Sequence, residues 1–192
     1  MDRTTLAFLG AALRHPGRVG AVAPSSSALT AVLAGVVPTT GTPTVVELGP
    51  GTGAVSTAIV ERLPAGARHL AVEIDPRMVE ALRRSQPQLE VIEGDARDLV
   101  RLLGERDVTR VDAVVSGLPW ALFDGGTQRA ILAAARQLLG GTGAFTTFAY
   151  LHALRFPAAR RFRGLLGEVF DEVEVTEPVW RNLPPALCYV CR

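Results

Sequence analysis

The sequence predicts one α/β domain around a mostly parallel sheet of seven strands, with an antiparallel strand at the sheet edge and helices before the first strand. The chain has 192 residues, of which 48% are hydrophobic and 20% charged, as expected for one globular core. From Thr44 onward, short β-branched runs alternate with helical patterns, which is typical of βαβ units. The last two runs are joined by a proline-rich segment instead of a helix.

Seven apolar runs are the predicted strands, and most of them are separated by helical patterns. Helices are expected near residues 53–63, 76–85, 98–104, 127–139 and 158–167. The segment from Pro178 to Pro185 contains no helical pattern, so the closing pair should add an antiparallel strand at the edge. The predicted strands are Thr44–Leu48, His69–Ile74, Leu89–Glu93, Val111–Ser116, Ala144–Ala149, Val169–Thr176 and Ala186–Val190.

Two helical patterns precede the sheet. Leu6, Leu9 and Leu13 recur at helical spacing within residues 4–14. The serines Ser25–Ser27 can cap a second helix that runs to about Val37. The first apolar run is about half as long as a membrane span and opens without the basic cluster of a signal peptide. We therefore expect a cytoplasmic protein.

The composition limits the available chemistry. All 20 basic residues are arginine, so no lysine can act as a nucleophile or base. The formal net charge of +1 leaves both nucleic acid and membrane open as partners. Cys188 and Cys191 stand three apart at the end of the sequence, and residues three apart in a strand point to opposite faces. This spacing favours two buried thiols in a reducing compartment over a redox pair.

A glycine-rich turn follows the first strand in Val45-Val46-Glu47-Leu48-Gly49-Pro50-Gly51-Thr52-Gly53. Its glycines let the backbone turn tightly and approach a ligand, and the helix behind them presents free N–H groups and the positive end of its dipole. The turn therefore predicts a site for a nucleotide-type cofactor. The spacing Gly49-x-Gly51-x-x-Ala54 also fits a dinucleotide fingerprint, and an ordinary β–α turn is the simplest alternative.

Polar or turn-forming residues also follow the next three strands. Glu73 ends the second strand 20 residues after Gly53, where a carboxylate can accept hydrogen bonds from both hydroxyls of a ribose. Asp95 places an acceptor where an adenine amino group can lie. Ser116-Gly117-Leu118-Pro119-Trp120 follows the fourth strand, at the edge where open α/β sheets bind ligands.

With these four features in order, the sequence resembles the class I S-adenosylmethionine-dependent methyltransferases. The glycine motif of that family matches Glu47 to Gly53, its ribose-binding acid matches Glu73, and its adenine-side acid matches Asp95. The resemblance spans roughly residues 44 to 192 and implies a Rossmann-like fold with S-adenosyl-L-methionine as cofactor. The implied cofactor contacts are Glu47, Gly49, Gly51, Thr52, Gly53, Glu73, Ile74, Asp95, Ala96, Ser116, Gly117 and Leu118.

Two further segments resemble the bacterial phospholipid N-methyltransferases, which act on phosphatidylethanolamine. They are Gly20–Ser26 and Val179–Ala186. The related rRNA adenine dimethyltransferases usually have Asn in place of Ser116 and carry a further helical domain, so nucleic acid is not the expected substrate. The resemblance implies a single methyltransferase domain over residues 1–192, with residues 1–43 as a lid or membrane-contact segment and residues 44–192 as the catalytic core.

Acceptor-side residues are expected at the tip of the fifth strand and in the last loop. A primary amine has a pKa of about 10, so it must lose a proton before it attacks the methyl group. Tyr150 and His152 are candidates for guiding that proton or the amine, and packing is the alternative for both. Trp120 and Trp180 are candidates for holding a cationic head group, with Asn182 as a further substrate contact. No metal is required.

An arginine-rich stretch from Gly125 to Gly167 contains no acidic residue. It predicts positive potential suited to phosphate or an anionic membrane surface, whereas a solvated helix face is the alternative. Together with the apolar helix around Phe8, it predicts peripheral docking on the inner face of the membrane. A small-molecule methyltransferase and a non-catalytic cofactor-binding module stay open as alternatives. The arginines are Arg129, Arg136, Arg155, Arg160, Arg161 and Arg163.

Overall fold

The computed structural model describes residues 25–192 and shows one seven-stranded sheet. Its strands are β1 Thr44–Leu48, β2 Arg68–Glu73, β3 Glu90–Glu93, β4 Ala113–Ser116, β5 Ala144–Tyr150, β6 Val173–Val175 and β7 Ala186–Cys191. They lie in the order β3-β2-β1-β4-β5-β7-β6, and only the pairs that include β7 are antiparallel. The predicted mostly parallel α/β sheet is confirmed, with β7 lying beside the edge strand β6.

Helices cover both faces of this sheet. They are α1 Ser27–Leu33, α2 Ala54–Val60, α3 Pro76–Ser85, α4 Leu99–Gly104, α5 Gly125–Leu139 and α6 Pro157–Val169. One face packs against α1, α2 and α3, and the other packs against α4, α5 and α6. Both faces of the central strands are therefore buried, which explains their continuous apolar sequences.

Local capping explains where several helices begin. The Asp75 side chain accepts a hydrogen bond from the Arg77 N–H, and Pro76 occupies the first position of α3. Asp124 caps α5 in the same way through the Thr127 N–H. These two carboxylates satisfy N–H groups that the helices themselves leave free.

Helix α1 belongs to the packed core. Leu29 and Leu33 are fully buried on the sheet face that also contains Val45 and Ala113. The Ser26 side chain caps α1 by accepting from the Leu29 N–H. The predicted N-terminal helical region therefore contributes directly to the core from residue 27 onward.

The sixth strand is shorter than predicted. The run Val169–Thr176 was expected to be a strand, but α6 continues to Val169 and Phe170 is buried at its end, leaving only Val173–Val175 extended. A short apolar run fits a buried helix end as well as a strand, so its pattern alone was ambiguous.

The two cysteines of β7 are buried and free, as predicted. Cys188 packs in the cluster beneath α1 and α2, whereas Cys191 packs in the cluster on the opposite face. Burial raises the pKa of each thiol to about 12. Neither thiol therefore forms a thiolate near neutral pH.

Within residues 25–192, no helix combines the length and the apolar character needed to cross a bilayer. The helix predicted within residues 4–14 lies outside the described residues. So do the first five residues of the Gly20–Ser26 segment.

The strand order reverses between β1 and β4, because β1 leads outward to β2 and β3 while β4 leads to β5. At their carboxyl ends the Gly117 N–H donates to the Leu48 carbonyl at 2.9 Å. In open α/β sheets such a reversal forms a crevice at the carboxyl edge, where ligands bind, and in this protein it would lie beyond the carboxyl ends of β1 and β4.

Candidate active site

The glycine turn after β1 uses backbone conformations that favour glycine. Gly49, Gly51 and Gly53 have φ values of +68°, +56° and +85°. The Gly49 N–H donates to the Val72 carbonyl at 2.9 Å, and the Gly53 N–H donates to the Pro50 carbonyl at 2.9 Å. These bonds fix the turn between β1 and the start of α2.

The surroundings of these glycines differ in a way that locates the crevice. A Cβ on Gly117 would lie 2.8 Å from the Gly49 carbonyl oxygen, and a Cβ on Gly49 would lie 2.8 Å from the Leu118 Cδ2. A Cβ on Gly51 would meet no atom of the described residues within 4 Å. Gly117 thus allows close backbone packing against Gly49, and Gly49 leaves room for the Leu118 side chain, whereas Gly51 faces space that no atom of residues 25–192 occupies.

Glu73 connects the tips of β1, β2 and β3. Its side chain is 3% exposed and accepts from the Gly51 N–H at 3.2 Å, the Ile74 N–H at 2.8 Å and the Asp75 N–H at 3.0 Å. Its backbone carbonyl accepts from the Gly94 N–H at 2.9 Å. Burial raises the pKa of Glu73, although the three backbone N–H groups act in the opposite direction.

Asp95 is held by its neighbour Arg97. One carboxylate oxygen accepts from the Arg97 backbone N–H at 2.9 Å, and the other accepts from Nε at 3.1 Å and Nη2 at 2.8 Å. Burial opposes ionisation, but the hydrogen bonds from Arg97 outweigh it and lower the pKa of Asp95. Asp95 is therefore a fixed carboxylate beside the β3 tip, followed by the buried Ala96.

Glu47 is almost fully buried within β1. The side chain is 1% exposed, and neither carboxylate oxygen has a hydrogen-bond partner within residues 25–192. The Nε2 atom of His69, on the neighbouring strand, faces Oε2 at 3.3 Å without the geometry of a hydrogen bond. A buried carboxylate with free acceptor positions is costly unless a ligand or ion pair compensates it.

The tip of β4 is organised by a buried hydroxyl network. The Trp120 Nε1–H donates to the Ser116 Oγ at 3.2 Å and to the Thr147 Oγ1 at 2.9 Å. The Ser116 Oγ also accepts from the Leu118 N–H at 3.3 Å. Gln128 adds a bond from its Nε2 to the Trp120 carbonyl at 2.8 Å. Four side chains thereby shape the turn that carries Gly117 and Leu118.

Trp120 is not placed to hold a head group. Its side chain is 3% exposed, and its indole stacks on Phe162 with ring centroids 4.8 Å apart. Edge contacts with Phe123 and Phe145 close further sides of the ring. The predicted cation–π contact needs an open ring face, so we correct the assignment of Trp120 from substrate contact to core side chain.

Tyr150 is the last residue of β5, and His152 lies two residues further along the chain. Their rings stack with centroids 5.7 Å apart and an interplanar angle of 12°. Tyr150 is half-buried, and burial raises the pKa of its phenol. His152 is exposed. The pair thus places a neutral phenol and an exposed imidazole side by side at the carboxyl end of β5.

Trp180 and Asn182 occupy the loop before β7 in opposite environments. Trp180 is 72% exposed, whereas Asn182 is 3% exposed. The Asn182 Oδ1 accepts from the Ser26 N–H at 2.9 Å, and its Nδ2 donates to the Pro184 carbonyl at 2.8 Å. Asn182 therefore ties the start of α1 to this loop, which is a structural task that the predicted substrate contact did not include.

The predicted site residues fall into two groups. Those at or just after the carboxyl ends of β1, β2, β3 and β4 lie at one edge of the sheet, where hydrogen bonds link Glu73 to Gly51 and Ser116 to Leu118. Ile74 is half-buried and Thr52 is exposed. Those predicted for the acceptor side lie at the end of β5 (Tyr150), directly after it (His152) and in the loop before β7 (Trp180). Sequence reasoning missed the contacts of His69, Thr147 and Gln128. A polar residue within an apolar strand was the available signal for the first two.

The strand order, with a glycine turn at its reversal, is that of a Rossmann-like α/β protein with a ligand crevice at the carboxyl edge. Comparisons with known proteins identify the family within this fold class. Residues 45–143 match a family model described as a methyltransferase domain. Over 189 residues the chain is 36% identical to the ornithine lipid N-methyltransferase of Singulisphaera acidiphila, covering 96% of this chain and 94% of that protein.

Two further similarities extend the comparison. A solved O-methyltransferase from Bacillus cereus in complex with SAH shares the fold with a TM-score of 0.67 and 15% identity, covering 100% of this chain and 92% of that chain. A match to ribosomal RNA small subunit methyltransferase A of Chlorobaculum parvum is 45% identical over 51 residues, which is 27% of this chain and 18% of that protein.

The chain belongs to the methyltransferase family that this domain model describes. It is a class I S-adenosylmethionine-dependent methyltransferase that resembles the lipid N-methyltransferases, and S-adenosylmethionine is its cofactor.

Proposed function

We propose that this methyltransferase transfers a methyl group to the amine head group of a lipid, with a phospholipid such as phosphatidylethanolamine as acceptor. The observation that carries the proposal is the 36% identity, over 96% of the chain, to a protein named for N-methylation of ornithine lipid. Ornithine and ethanolamine head groups both offer a primary amine on an amphiphile. That shared chemistry defines the proposed acceptor class.

The crevice fits the cofactor in two respects. The open space beside Gly51 lets backbone approach a ligand closely, and the buried Glu47 carboxylate has acceptor positions without partners in residues 25–192. Glu73 would accept from the ribose hydroxyls, Asp95 would lie on the adenine side, and Glu47 would face an amino group. S-adenosylmethionine supplies an electrophilic methyl group on its sulfonium.

The acceptor side would position an amine. At neutral pH a primary amine with a pKa of about 10 is mostly protonated and must lose a proton before it attacks. Burial raises the pKa of Tyr150, so its phenol stays neutral and orients the amine as a hydrogen-bond partner instead of removing the proton. His152, exposed beside it, would take the proton and pass it to solvent.

The open Trp180 ring remains the proposed cation–π partner for the head group, because 72% of the residue is exposed. We also propose that the acceptor is met at an anionic membrane surface, to which the apolar residues around Phe8 contribute. This part of the proposal rests on the sequence pattern and on the lipid-modifying relative.

Radiolabel transfer tests the proposal. Purified protein would be incubated with S-adenosylmethionine carrying a labelled methyl group and with vesicles that contain phosphatidylethanolamine or an ornithine lipid. We expect label in at least one of these amino lipids. Phosphatidylcholine is the matched control, because its quaternary nitrogen has no position left to accept a methyl group.

Two outcomes would contradict the proposal. Label in neither amino lipid, with a protein that binds S-adenosylmethionine in calorimetry, would exclude the proposed acceptor class and favour a small-molecule acceptor. Label in vesicles made of phosphatidylcholine alone would point to transfer elsewhere than the head-group nitrogen.

A further inference from the structure

Exposed apolar side chains are concentrated at one edge of the molecule. Within residues 25–192, four of the five large hydrophobic residues with high exposure lie beyond the carboxyl ends of β4 and β5 or before β7. They are Leu122 at 41%, Phe156 at 48%, Trp180 at 72% and Leu183 at 78% exposure. Because β7 runs antiparallel, the loop before it emerges at the same edge.

Hydrogen bonds place the last loop beside the end of β5. The Val179 N–H donates to the Ala186 carbonyl at 2.7 Å, and Ala186 pairs with Tyr150. The Leu151 N–H donates to the Pro185 carbonyl at 2.9 Å. Trp180 and Leu183 therefore project from a hairpin-like loop that is anchored next to the proposed acceptor residues.

Arginines without acidic partners accompany these apolar residues. Arg155, Arg160, Arg161 and Arg181 form no salt bridge with any carboxylate of residues 25–192, whereas Arg129 pairs with Glu168 and Arg136 with Asp171. Arg155 instead lies over the Phe156 ring, 5.1 Å from its centroid. The arginine-rich stretch is thus partly neutralised, and its free charge is concentrated near the carboxyl edge.

Two of these arginines are adjacent cations near the start of α6. Arg160 and Arg161 lie in the N-terminal part of α6, whose first turn contains no acidic residue. The positive end of the helix dipole disfavours a cation in the first turn, which Arg160 completes, and the adjacent Arg161 adds like-charge repulsion. An anionic partner outside the protein would relieve this repulsion and that between neighbouring arginines.

We propose that this edge is a docking surface for an anionic lipid bilayer, and that it presents the crevice to the membrane. The loop surface consists of Leu122, Phe156, Trp180 and Leu183, which insert at the interface, and of Arg155, Arg160, Arg161 and Arg181, which contact lipid phosphates. The inference rests on the proposed lipid acceptor. It goes beyond it by assigning the docking to described loops, independently of residues 1–24.

Vesicle flotation tests the loop surface. The full chain should co-float with vesicles of phosphatidylethanolamine and phosphatidylglycerol in equal parts, but not with vesicles in which phosphatidylcholine replaces phosphatidylglycerol. Leu183→Glu combined with Phe156→Glu should lower partitioning at least tenfold, because two carboxylates then face the anionic interface. Val175→Glu is the matched control, since Val175 is 38% exposed on the edge strand β6 and lies outside the surface.

A second set of variants tests how much the arginines of the loop surface contribute to vesicle binding. Arg160→Gln with Arg161→Gln should lower partitioning to anionic vesicles severalfold. Salt at about 1 M, where the screening length is about 3 Å, should also lower the partitioning of the wild type severalfold. Arg84→Gln with Arg101→Gln removes the same net charge from exposed residues of α3 and α4 and should have a smaller effect.

Methyl transfer to a short-chain, monomeric amino-phospholipid separates this inference from the proposed function. If the wild type methylates that lipid but does not float, or if the Leu183→Glu and Phe156→Glu variant floats like the wild type, the loop surface is wrong. If flotation depends on the surface but no amino lipid is methylated, the proposed function fails and the docking surface stands. Correct folding of each variant is checked by its thermal unfolding.

Discussion

The Nε2 atom of His69 lies 3.3 Å from the Oε2 atom of Glu47, and both side chains are almost fully buried between β1 and β2. Parallel pairing sets Glu47 opposite Ala71, so His69 reaches it diagonally from two positions earlier. A protonated imidazole at this distance would compensate part of the cost of a buried carboxylate, and Oε1 has no hydrogen-bond partner among residues 25–192. His69 would thus position Glu47 for a ligand without touching that ligand.

A double-mutant cycle checks this coupling. Glu47→Gln and His69→Gln should each lower the free energy of unfolding by about 1–3 kcal/mol, because each leaves a buried polar partner alone. The double variant should lose less than the sum, which urea unfolding measures. Strict additivity would show that the two side chains do not interact. S-adenosylmethionine affinity should fall more for Glu47→Gln than for His69→Gln.

Glu73→Gln should weaken S-adenosylmethionine binding at least tenfold. The amide cannot accept two charge-assisted hydrogen bonds from a ribose, each worth about 1.5–3 kcal/mol. Isothermal titration calorimetry gives the dissociation constant, and Glu90→Gln, a change at a half-buried acid at the start of β3, is the control. Unchanged affinity in a folded Glu73→Gln protein would remove Glu73 from the cofactor site.

The contribution of Glu73 to the free energy of unfolding should fall as pH rises, whereas a carboxylate with a lowered pKa stabilises a protein as pH rises. Burial raises the pKa of this carboxyl in the folded protein, so the folded state binds the proton more tightly than the unfolded chain does. Stability therefore falls as pH rises from the ordinary glutamate pKa of about 4.3 through the raised value. Relative to Glu73→Gln, the wild type should lose free energy of unfolding across that window in a pH series of urea titrations. A gain would show that the backbone N–H groups dominate.

Gly51→Ala should separate cofactor binding from folding. The new Cβ enters open space at a positive φ of +56°, which costs about 1–2 kcal/mol of stability but also blocks close approach of a ligand. Gly66→Ala introduces comparable strain at φ +82° in a turn outside the crevice. We expect equal losses in thermal stability and at least a tenfold loss of S-adenosylmethionine affinity for Gly51→Ala alone. Equal affinities in the two variants would place the cofactor elsewhere.

Tyr150→Phe and His152→Ala should lower turnover more than cofactor affinity, because both residues lie on the proposed acceptor side. A neutral phenol that only orients the amine predicts an unchanged pH–rate profile for Tyr150→Phe at a reduced rate. His152→Ala should lower turnover because it removes the proposed proton acceptor. Full turnover at neutral pH in both variants would leave proton removal to solvent.

The bounds of the central strands could be predicted accurately from the sequence because their apolar runs are short and bounded by turns. Thr44–Leu48 was predicted to the residue, and Ala144–Tyr150 to within one residue. Where the pattern failed, at Val169, the apolar residues serve a helix end. Burial without periodicity does not distinguish the two structures.

The site was less predictable because its polar contacts depend on register. The approach of His69 to Glu47 follows from the pairing of β1 with β2, and the bond from Trp120 to Thr147 follows from that of β4 with β5. Neither pairing register is encoded within a single strand. The glycine turn and Glu73 were identifiable since a tight turn and a strand-end acid are local signals.

The two tryptophans of the chain occupy opposite environments, so intrinsic tryptophan fluorescence can distinguish the core from the exposed loop. Trp120 is enclosed by aromatic rings at 3% exposure, so its emission should be blue and unresponsive to a soluble quencher such as acrylamide. Trp180, at 72% exposure, should emit at longer wavelength and be quenched readily. Replacing Trp180 with Phe leaves Trp120 as the single tryptophan, whose emission then reports on the core beside the β4 tip. In the intact chain, a blue shift upon adding vesicles would come from Trp180, which allows lipid contact to be followed in solution without a label.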